Sequence, residues 1–222
     1  MNKTISVIVP AFNEEMRIAN TLKTLQRVKP ALNIIVIDDG STDTTVEKVA
    51  KFNNISLIKN KKNMGKGYAL KIGTESIIDE SDIIVYLDAD IQESANEVYR
   101  LINPIVENEA DVTVAKFPAS TKKGGFGLVK TLARYGVYYK TGVKLSCALS
   151  GQRGFKKEVL QNINLDYQGF EVELGMIIDI INNNYKVREV DVNMYHNITG
   201  RDLKGFLHRG KQFYHIFKLL FY

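Results

Sequence analysis

Apolar and polar positions in the first half of the chain follow two different periods. Short continuous apolar runs, rich in β-branched residues, predict four buried strands, at residues 5–9, 34–37, 55–58 and 83–87. Apolar residues spaced three or four apart predict helices between them, at residues 18–25, 44–49 and 68–78. Strands that alternate with helices favour right-handed βαβ units. We therefore expect an α/β fold, with a mostly parallel sheet and helices on both faces.

The second half keeps the same kinds of element at a looser spacing. The pattern predicts strands at residues 112–115 and 187–192, and helices at residues 128–139, 157–161 and 171–181. Two polar, glycine-bearing segments read as loops, at residues 122–127 and 149–155. Because no repeat or low-complexity linker divides the chain, we expect one domain over residues 1–222, with halves at 1–115 and 116–222.

The last twenty residues predict an amphipathic helix. Its apolar positions recur at steps of three and four: Leu203, Phe206, Leu207, Gly210, Phe213, Tyr214, Phe217, Leu220 and Phe221. Basic residues occupy other positions of the same segment: Lys204, His208, Arg209, Lys211, His215 and Lys218. Such a helix either packs on its own domain or lies on a membrane surface, and the sequence leaves both alternatives open.

Composition narrows the class of protein. The chain has 222 residues, of which 45% are hydrophobic and 25% charged, as in globular domains with a large core. The net charge of +5 favours anionic partners such as nucleotides, phosphorylated acceptors or lipid headgroups. Cys147 is the only cysteine, which excludes an internal disulfide. No charged leader precedes the first strand and no apolar run reaches about 20 residues, so we expect a cytosolic protein.

Acidic residues follow three of the predicted strands. They lie in residues 10–15, 38–43 and 88–92. Because the carboxyl ends of parallel strands meet at one edge of a sheet, these carboxylates would repel one another unless a cation or a bound nucleotide relieved the repulsion. Asp88 and Asp90 supply the hard oxygen ligands that suit Mg²⁺ or Mn²⁺. The alternative for each segment taken alone is helix capping or a turn.

Four segments, in this order and spacing, resemble the motifs of glycosyltransferase family 2. They are Val7–Glu15, Ile37–Asp43, Asn63–Gly67 and Asp88–Asp90, and they span about the first 115 residues. The resemblance implies a fold of the GT-A type and a hexosyltransferase that uses a nucleotide-sugar donor. It also implies the donor-binding residues, which would be Pro10, Ala11, Glu14, Asp39, Lys66 and Asp88. Among them, Asp39 would bind the base, Lys66 the ribose or diphosphate, and Asp88 the ribose or metal-bound water.

A divalent cation, Mg²⁺ or Mn²⁺, is the cofactor that the resemblance implies. Asp90 would bind it and thereby act in catalysis. Gln92 would join it, because residues 88–92 resemble the corresponding segment of dolichyl-phosphate mannose synthases. These enzymes usually have Ser-Arg after the fifth strand, where this chain has Ala115-Lys116-Phe117.

The second half resembles glucosyl-3-phosphoglycerate synthase-like proteins more loosely, in residues 124–129, 149–153 and 194–202. That likeness implies His196 as a third metal ligand, for which the alternative is a structural hydrogen bond. It also implies that loops with Gly125, Ser150 and Gly151 flank the acceptor. Arg153 and Arg201 are candidates to grip an acceptor phosphate or carboxylate, because guanidinium groups bind such anions through two parallel hydrogen bonds.

Three functions remain as alternatives. The first is hexose transfer from UDP-glucose or a similar donor to a phosphorylated or carboxylated acceptor, and the second is transfer from GDP-mannose or UDP-glucose to a polyprenyl phosphate at the inner membrane surface. The third, a basic non-catalytic module, leaves the acidic strand ends unexplained, so we do not expect a nucleic-acid partner. An inverting enzyme needs a base, which Glu171 or Glu173 could supply, whereas a retaining one does not. A homodimer is left open.

Overall fold

The structure is a computed structural model that describes residues 3–29, 31–118, 128–167, 171–195, 210 and 213–220. Its strands form one seven-stranded sheet in the order β3-β2-β1-β4-β6-β5-β7. The strands are β1 (Ile5–Ala11), β2 (Asn33–Asp38), β3 (Ile55–Lys59), β4 (Ile83–Tyr86), β5 (Val112–Lys116), β6 (Arg153–Lys156) and β7 (Val187–Asp191).

The sheet is mostly parallel, as the strand–helix alternation predicts. Strands β3, β2, β1 and β4 pair in parallel, and β5 pairs in parallel with β7. Among the described strands only β6 runs the other way, and it lies between β4 and β5. Strands β1, β2 and β4 therefore all end at the same edge of the sheet, which we call the carboxyl edge, and β6 begins there.

Helices cover both faces of the sheet. They are α1 (Ile18–Leu25), α2 (Thr45–Val49), α3 (Lys66–Ile77), α4 (Val98–Val106), α5 (Leu128–Thr141), α6 (Lys157–Gln161) and α7 (Val172–Asn182), with a 3₁₀ helix at Gln92–Glu97. Apolar side chains of α1, α2 and α4 form the core on one face. Those of α3, α5, α6 and α7 form the core on the other face. These two layers confirm the predicted α/β fold.

Two predictions about local structure need correction. The segment 149–155 was expected to be a loop, but Arg153–Lys156 forms β6 in the middle of the sheet. This strand is only four residues long and contains Arg and Gly, so it lacks the β-branched run that marks the other central strands. The pattern also gave no element between residues 92 and 110, where the 3₁₀ helix and α4 lie; Pro104 inside α4 obscures its helical signal.

The terminal helix, described over residues 213–220, packs on the domain along one side. Ile216 and Leu220 are buried in the same core as Ala133 and Val137 of α5. A Cβ atom at Gly136 would lie 2.4 Å from Cδ1 of Leu220, so glycine permits this close contact between the helices. The predicted apolar stripe is thus divided, because Phe213 and Phe217 remain exposed while Leu220 is buried. Its Leu203, Phe206, Leu207 and Phe221 lie outside the described residues. No helix within the described ranges is long and apolar enough to cross a bilayer.

Candidate functional site

Strand direction brings six segments together at the carboxyl edge. The segments that follow β1, β2 and β4 lie side by side, because these strands are parallel neighbours. The reversed direction of β6 adds residues 148–152, since Arg153 at its start pairs with Tyr86 at the end of β4. Helices α3 and α7 also begin at this edge, because α3 follows β3 and α7 precedes β7, whose start lies at the opposite edge.

A partly buried ion-pair cluster connects these segments. Nζ of Lys66, at the start of α3, lies 2.7 Å from Oδ1 of Asp88 and 3.0 Å from Oε1 of Glu173 in α7. Gln152 donates from Nε2 to Oδ2 of Asp88 over 2.5 Å. Burial acts to lower the pKa of Lys66, but the two carboxylates outweigh it and raise that pKa above its usual value. Lys66 is therefore a cation held between two carboxylates.

Gly151 lies against this cluster. A Cβ atom at this position would be 2.4 Å from Nζ of Lys66 and 3.3 Å from Oδ1 of Asp88. A side chain here would require Lys66 to shift away from Asp88, so glycine permits the close approach.

Asp39 organises the start of α3. Its carboxylate accepts hydrogen bonds from Nδ2 of Asn60 (2.8 Å) and from the backbone N–H groups of Met64 (2.9 Å) and Gly65 (2.7 Å). Only 3% of Asp39 is exposed. The carboxylate thus has a structural role without any ligand, and the contact with a base that the resemblance implies stays a prediction.

The loops after β1 and β2 hold each other in place. Asn13 donates its N–H to Oγ of Ser41 (2.9 Å), and its Oδ1 accepts from the N–H of Thr42 (2.9 Å). Glu14 donates its N–H to Oγ1 of Thr45 over 2.8 Å. Asn13 has a φ of 54°, a conformation that asparagine tolerates better than most residues. These bonds fix the position of Glu14 at the carboxyl edge.

Negative charge accumulates near Glu14. Burial raises its pKa, the neighbouring Asp90 and Asp88 add to the rise, and a hydrogen bond from Nε of Arg17 (2.7 Å) opposes it. Asp90 and Gln92 follow β4, and the N–H of Gln92 donates to Oγ1 of Thr21. The oxygen donors at this edge fit a hard divalent cation. No three described His, Cys, Asp or Glu side chains converge into a metal cluster by themselves.

Comparison with known proteins identifies the family. The sequence model of Glycosyl transferase family 2 matches residues 6–163. This chain belongs to glycosyl transferase family 2. An uncharacterized protein of Methanocaldococcus jannaschii is 31% identical over 196 residues, covering 85% of this chain and 80% of the relative. UDP-N-acetylglucosamine--dolichyl-phosphate N-acetylglucosaminyltransferase of Methanococcus voltae is 29% identical over 187 residues, covering 72% of each chain.

Solved structures share the fold of this family 2 enzyme. Glucosyl-3-phosphoglycerate synthase of Mycobacterium tuberculosis, crystallised with Mn²⁺, uridine diphosphate and phosphoglyceric acid, superposes with a TM-score of 0.80 at 23% identity. The match covers 99% of this chain and 78% of that one. At this identity the likeness shows the fold, and it confirms the predicted GT-A architecture.

The role predicted for Arg153 needs correction within this family 2 fold. Only 1% of Arg153 is exposed, so an acceptor anion has no open path to it. Its Nε and Nη2 donate to the carbonyl oxygens of Ser150 and Ala148, each over 2.8 Å. Burial lowers the pKa of the guanidinium to about 10, and the nearby Glu173 carboxylate opposes that change. Arg153 therefore holds the loop that carries Gln152, instead of gripping the acceptor from the surface.

The structure also distinguishes the two candidate bases. Glu173 belongs to the Lys66–Asp88 cluster, whereas Oε2 of Glu171 lies 2.8 Å from Nδ1 of His215 in the terminal helix. The role of Glu171 as a catalytic base stays a prediction, and its contact with Lys66 makes Glu173 the candidate that adjoins Asp88. The sequence analysis did not select Gln152 as a site residue, although its position in segment 149–153, which resembles a family motif, could have indicated it.

The remaining predicted site residues fall into three sets. Pro10 and Ala11 lie at the end of β1; Ala11 is buried in the core and its carbonyl accepts from the N–H of Asp39 over 2.8 Å. Gly151 lies next to Asp88, in the same loop as Ser150 and Gln152. Gly125, His196 and Arg201 lie outside the described residues.

Proposed function

We propose that this family 2 glycosyltransferase transfers a hexose from UDP-glucose, or a similar nucleotide sugar, to a small phosphorylated or carboxylated acceptor. The observation that carries the proposal is the Lys66–Asp88–Glu173 cluster, held with Gln152 beside the carboxylates of Glu14 and Asp90. A protonated lysine and a concentration of carboxylates at one edge suit a diphosphate with a divalent cation. The similar fold of an enzyme crystallised with uridine diphosphate, Mn²⁺ and phosphoglyceric acid supports this choice of ligands.

Asp90 would hold Mg²⁺ or Mn²⁺ together with Gln92 and His196. Carboxylate, amide and imidazole donors are compatible with such a cation. Burial is the main cause of the raised pKa of Glu14, and a cation would relieve the repulsion from Asp90 and Asp88 that adds to it. When bound, the metal supplies positive charge that stabilises the leaving diphosphate.

The residues of the chain take distinct roles in this proposal. Pro10, Ala11 and Asp39 bound the nucleoside pocket, while Lys66 exchanges an interaction with Asp88 for one with the diphosphate. Glu173 accepts the proton of the acceptor hydroxyl if the reaction inverts configuration. Ser150, Gly151 and the loop containing Gly125 flank the acceptor, and Arg201 grips its anionic group.

A second candidate acceptor is a polyprenyl phosphate. The name of the methanococcal relative includes a dolichyl-phosphate acceptor, and 72% of this chain aligns with it. The outward side of the terminal helix, with Phe213, Tyr214, Phe217 and Lys218, would contact the inner face of a membrane from the cytoplasm. A homodimer is compatible with either acceptor.

Calorimetric titration with UDP and GDP tests the donor and metal assignments. We expect UDP to bind in the presence of Mn²⁺ and to bind at least about 10-fold more weakly after chelation. Asp90→Asn should remove the Mn²⁺ dependence. Asp79→Asn, an exposed residue just beyond the far end of α3, should behave like the unchanged protein. Binding that survives exhaustive chelation would refute the metal role, and failure to bind any nucleotide would refute the donor class. Mass spectrometry of products from a donor screen identifies the sugar.

A further inference from the structure

The outer side of α5 exposes large apolar and aromatic side chains. Its inner side packs on the core through Ala133, Gly136 and Val137. On the outer side, Leu128 is 63% exposed, Tyr135 70% and Tyr139 80%, and Tyr138 is also exposed. Isolated exposed apolar residues are ordinary, but several bulky ones along one 14-residue helix form a patch that monomeric proteins seldom leave unused.

The same region is strongly basic. No Asp or Glu occurs between Asp111 and Glu158, and none occurs after Asp202. The exposed residues of α5 and the segment after it include Lys130, Arg134, Lys140 and Lys144. Nζ of Lys144 lies 5.5 Å from the ring centroid of Tyr138, so a basic group adjoins one of the exposed aromatic rings.

The terminal helix packs beside α5 and exposes similar groups. Leu220 lies directly on Gly136 of α5, which makes the two helices neighbours. Away from that contact, the terminal helix exposes Phe213, Tyr214 and Phe217, with Lys218 beside them. We call the combined surface the aromatic–basic face; it consists of Leu128, Lys130, Arg134, Tyr135, Tyr138, Tyr139, Lys140, Lys144, Phe213, Tyr214, Phe217 and Lys218.

We propose that the aromatic–basic face docks the enzyme on an anionic lipid bilayer, with α5 contributing the larger part of the contact. Tyrosine rings suit the boundary between headgroups and acyl chains, where one end is apolar and the hydroxyl stays hydrated. Lysine and arginine side chains reach from that depth to anionic headgroups. This inference goes beyond the glycosyl transfer proposed above, because it assigns to α5, which had no partner there, a membrane contact that adjoins the one named for the terminal helix.

Two other occupants fit the face less well. A second copy of the chain would meet it across a twofold axis, so each basic side chain would approach its own counterpart and the like charges would repel. A nucleic-acid duplex would attract the lysines through its phosphates but would leave Leu128 and Phe213 without an apolar partner. A bilayer with anionic lipids offers headgroups to the basic side chains and acyl chains to the apolar ones.

The face also borders the candidate active site. His215 of the terminal helix lies 2.8 Å from Glu171, which is two residues before Glu173 of the ion-pair cluster. Docking through this face would therefore bring the cluster close to the plane of the headgroups.

Vesicle flotation of the full chain tests the proposal. We expect binding to vesicles of phosphatidylcholine with phosphatidylglycerol, little binding to phosphatidylcholine alone, and release as the ionic strength rises. Tyr135→Ser combined with Tyr139→Ser should weaken binding at least about 10-fold, and so should Lys130→Gln combined with Lys140→Gln. These four positions are exposed, so melting temperatures should stay within about 2 °C of the unchanged protein.

Matched controls lie on the opposite face of the sheet. Tyr99→Ser in α4, and Lys23→Gln combined with Lys51→Gln near α1 and α2, remove the same chemical groups and should leave vesicle binding unchanged. The proposal would be overturned if the unchanged protein ignored anionic vesicles at low salt, if the α5 variants bound as well as the controls, or if the protein bound RNA and not vesicles. UDP titration of each variant separates this test from the test of the proposed function, because the α5 variants should retain nucleotide binding.

Discussion

Replacing Asp39 with alanine tests whether this carboxylate is a structural anchor or a ligand group. The change leaves three donors without their acceptor: Nδ2 of Asn60 and the N–H groups of Met64 and Gly65. The amide of Asn60 can turn towards water. The two backbone donors have less freedom, because Gly65, with φ of 94°, directly precedes α3. Each unpaired donor costs about 1–1.5 kcal/mol, so Asp39→Ala should lower the free energy of unfolding by about 2–3 kcal/mol.

That loss corresponds to a melting temperature lower by roughly 4–12 °C for a chain of this length. Calorimetry and urea unfolding without nucleotide measure it. Asp39→Asn keeps one carbonyl oxygen and should give an intermediate effect. Asp82→Ala provides a milder comparison, because Asp82 accepts one exposed backbone hydrogen bond, from Thr4, and should cost less than about 1 kcal/mol. If Asp39→Ala melted like the unchanged protein yet bound UDP more weakly, Asp39 would be a base-binding residue and the structural reasoning would be refuted.

Three further changes probe the cluster and its surroundings. Gly151→Ala should lower turnover at least about 10-fold by displacing Lys66, as measured by product formation; wild-type turnover would show that Lys66 has room to adjust. Glu173→Gln should reduce turnover about 100-fold or more, as expected on loss of a general base, whereas Glu171→Gln should mainly loosen the terminal helix, so equal kinetic effects would contradict the assignment. Glu14→Gln should raise the melting temperature at neutral pH in the absence of metal and nucleotide, because the raised pKa of Glu14 means that its ionised form destabilises the fold. This advantage should shrink as the pH falls through the acidic range and Glu14 becomes protonated, and destabilisation at neutral pH would show that the interaction with Arg17 dominates.

Much of the site could be predicted because strand ends are readable from the sequence. The apolar runs that become β1, β2 and β4 end at Ala11, Asp38 and Tyr86, close to where the hydrophobic pattern stops. Because these strands pair in parallel, the polar segments that follow them must lie at one edge of the sheet. The acidic segments around Glu14, Asp39 and Asp88 were located in this way, and membership of family 2 agrees with it.

The partners of these residues could not be predicted, because they come from distant parts of the chain. Gln152 is 64 positions from Asp88, and Glu173 lies farther still in sequence from Lys66. Local periodicity shows which residues share a helix face but says nothing about which helix end meets which loop. Arg153 illustrates the same limit. The guanidinium group suits an acceptor anion, yet only the three-dimensional structure shows that it donates its hydrogen bonds to backbone carbonyl oxygens.

The direction of β6 explains why the cluster exists at all. Its partner strand β4 ends at Tyr86, and the antiparallel register sets Arg153 opposite that residue, with Gln152 one step away from Asp88. A parallel strand of the same four residues would begin at the other edge of the sheet, about 13 Å away at 3.3 Å per residue. Neither Gln152 nor Gly151 would then reach Asp88. One short reversed strand thus joins the parallel strands β3, β2, β1 and β4 to β5 and β7. The loop that Arg153 secures lies where these two groups of strands meet.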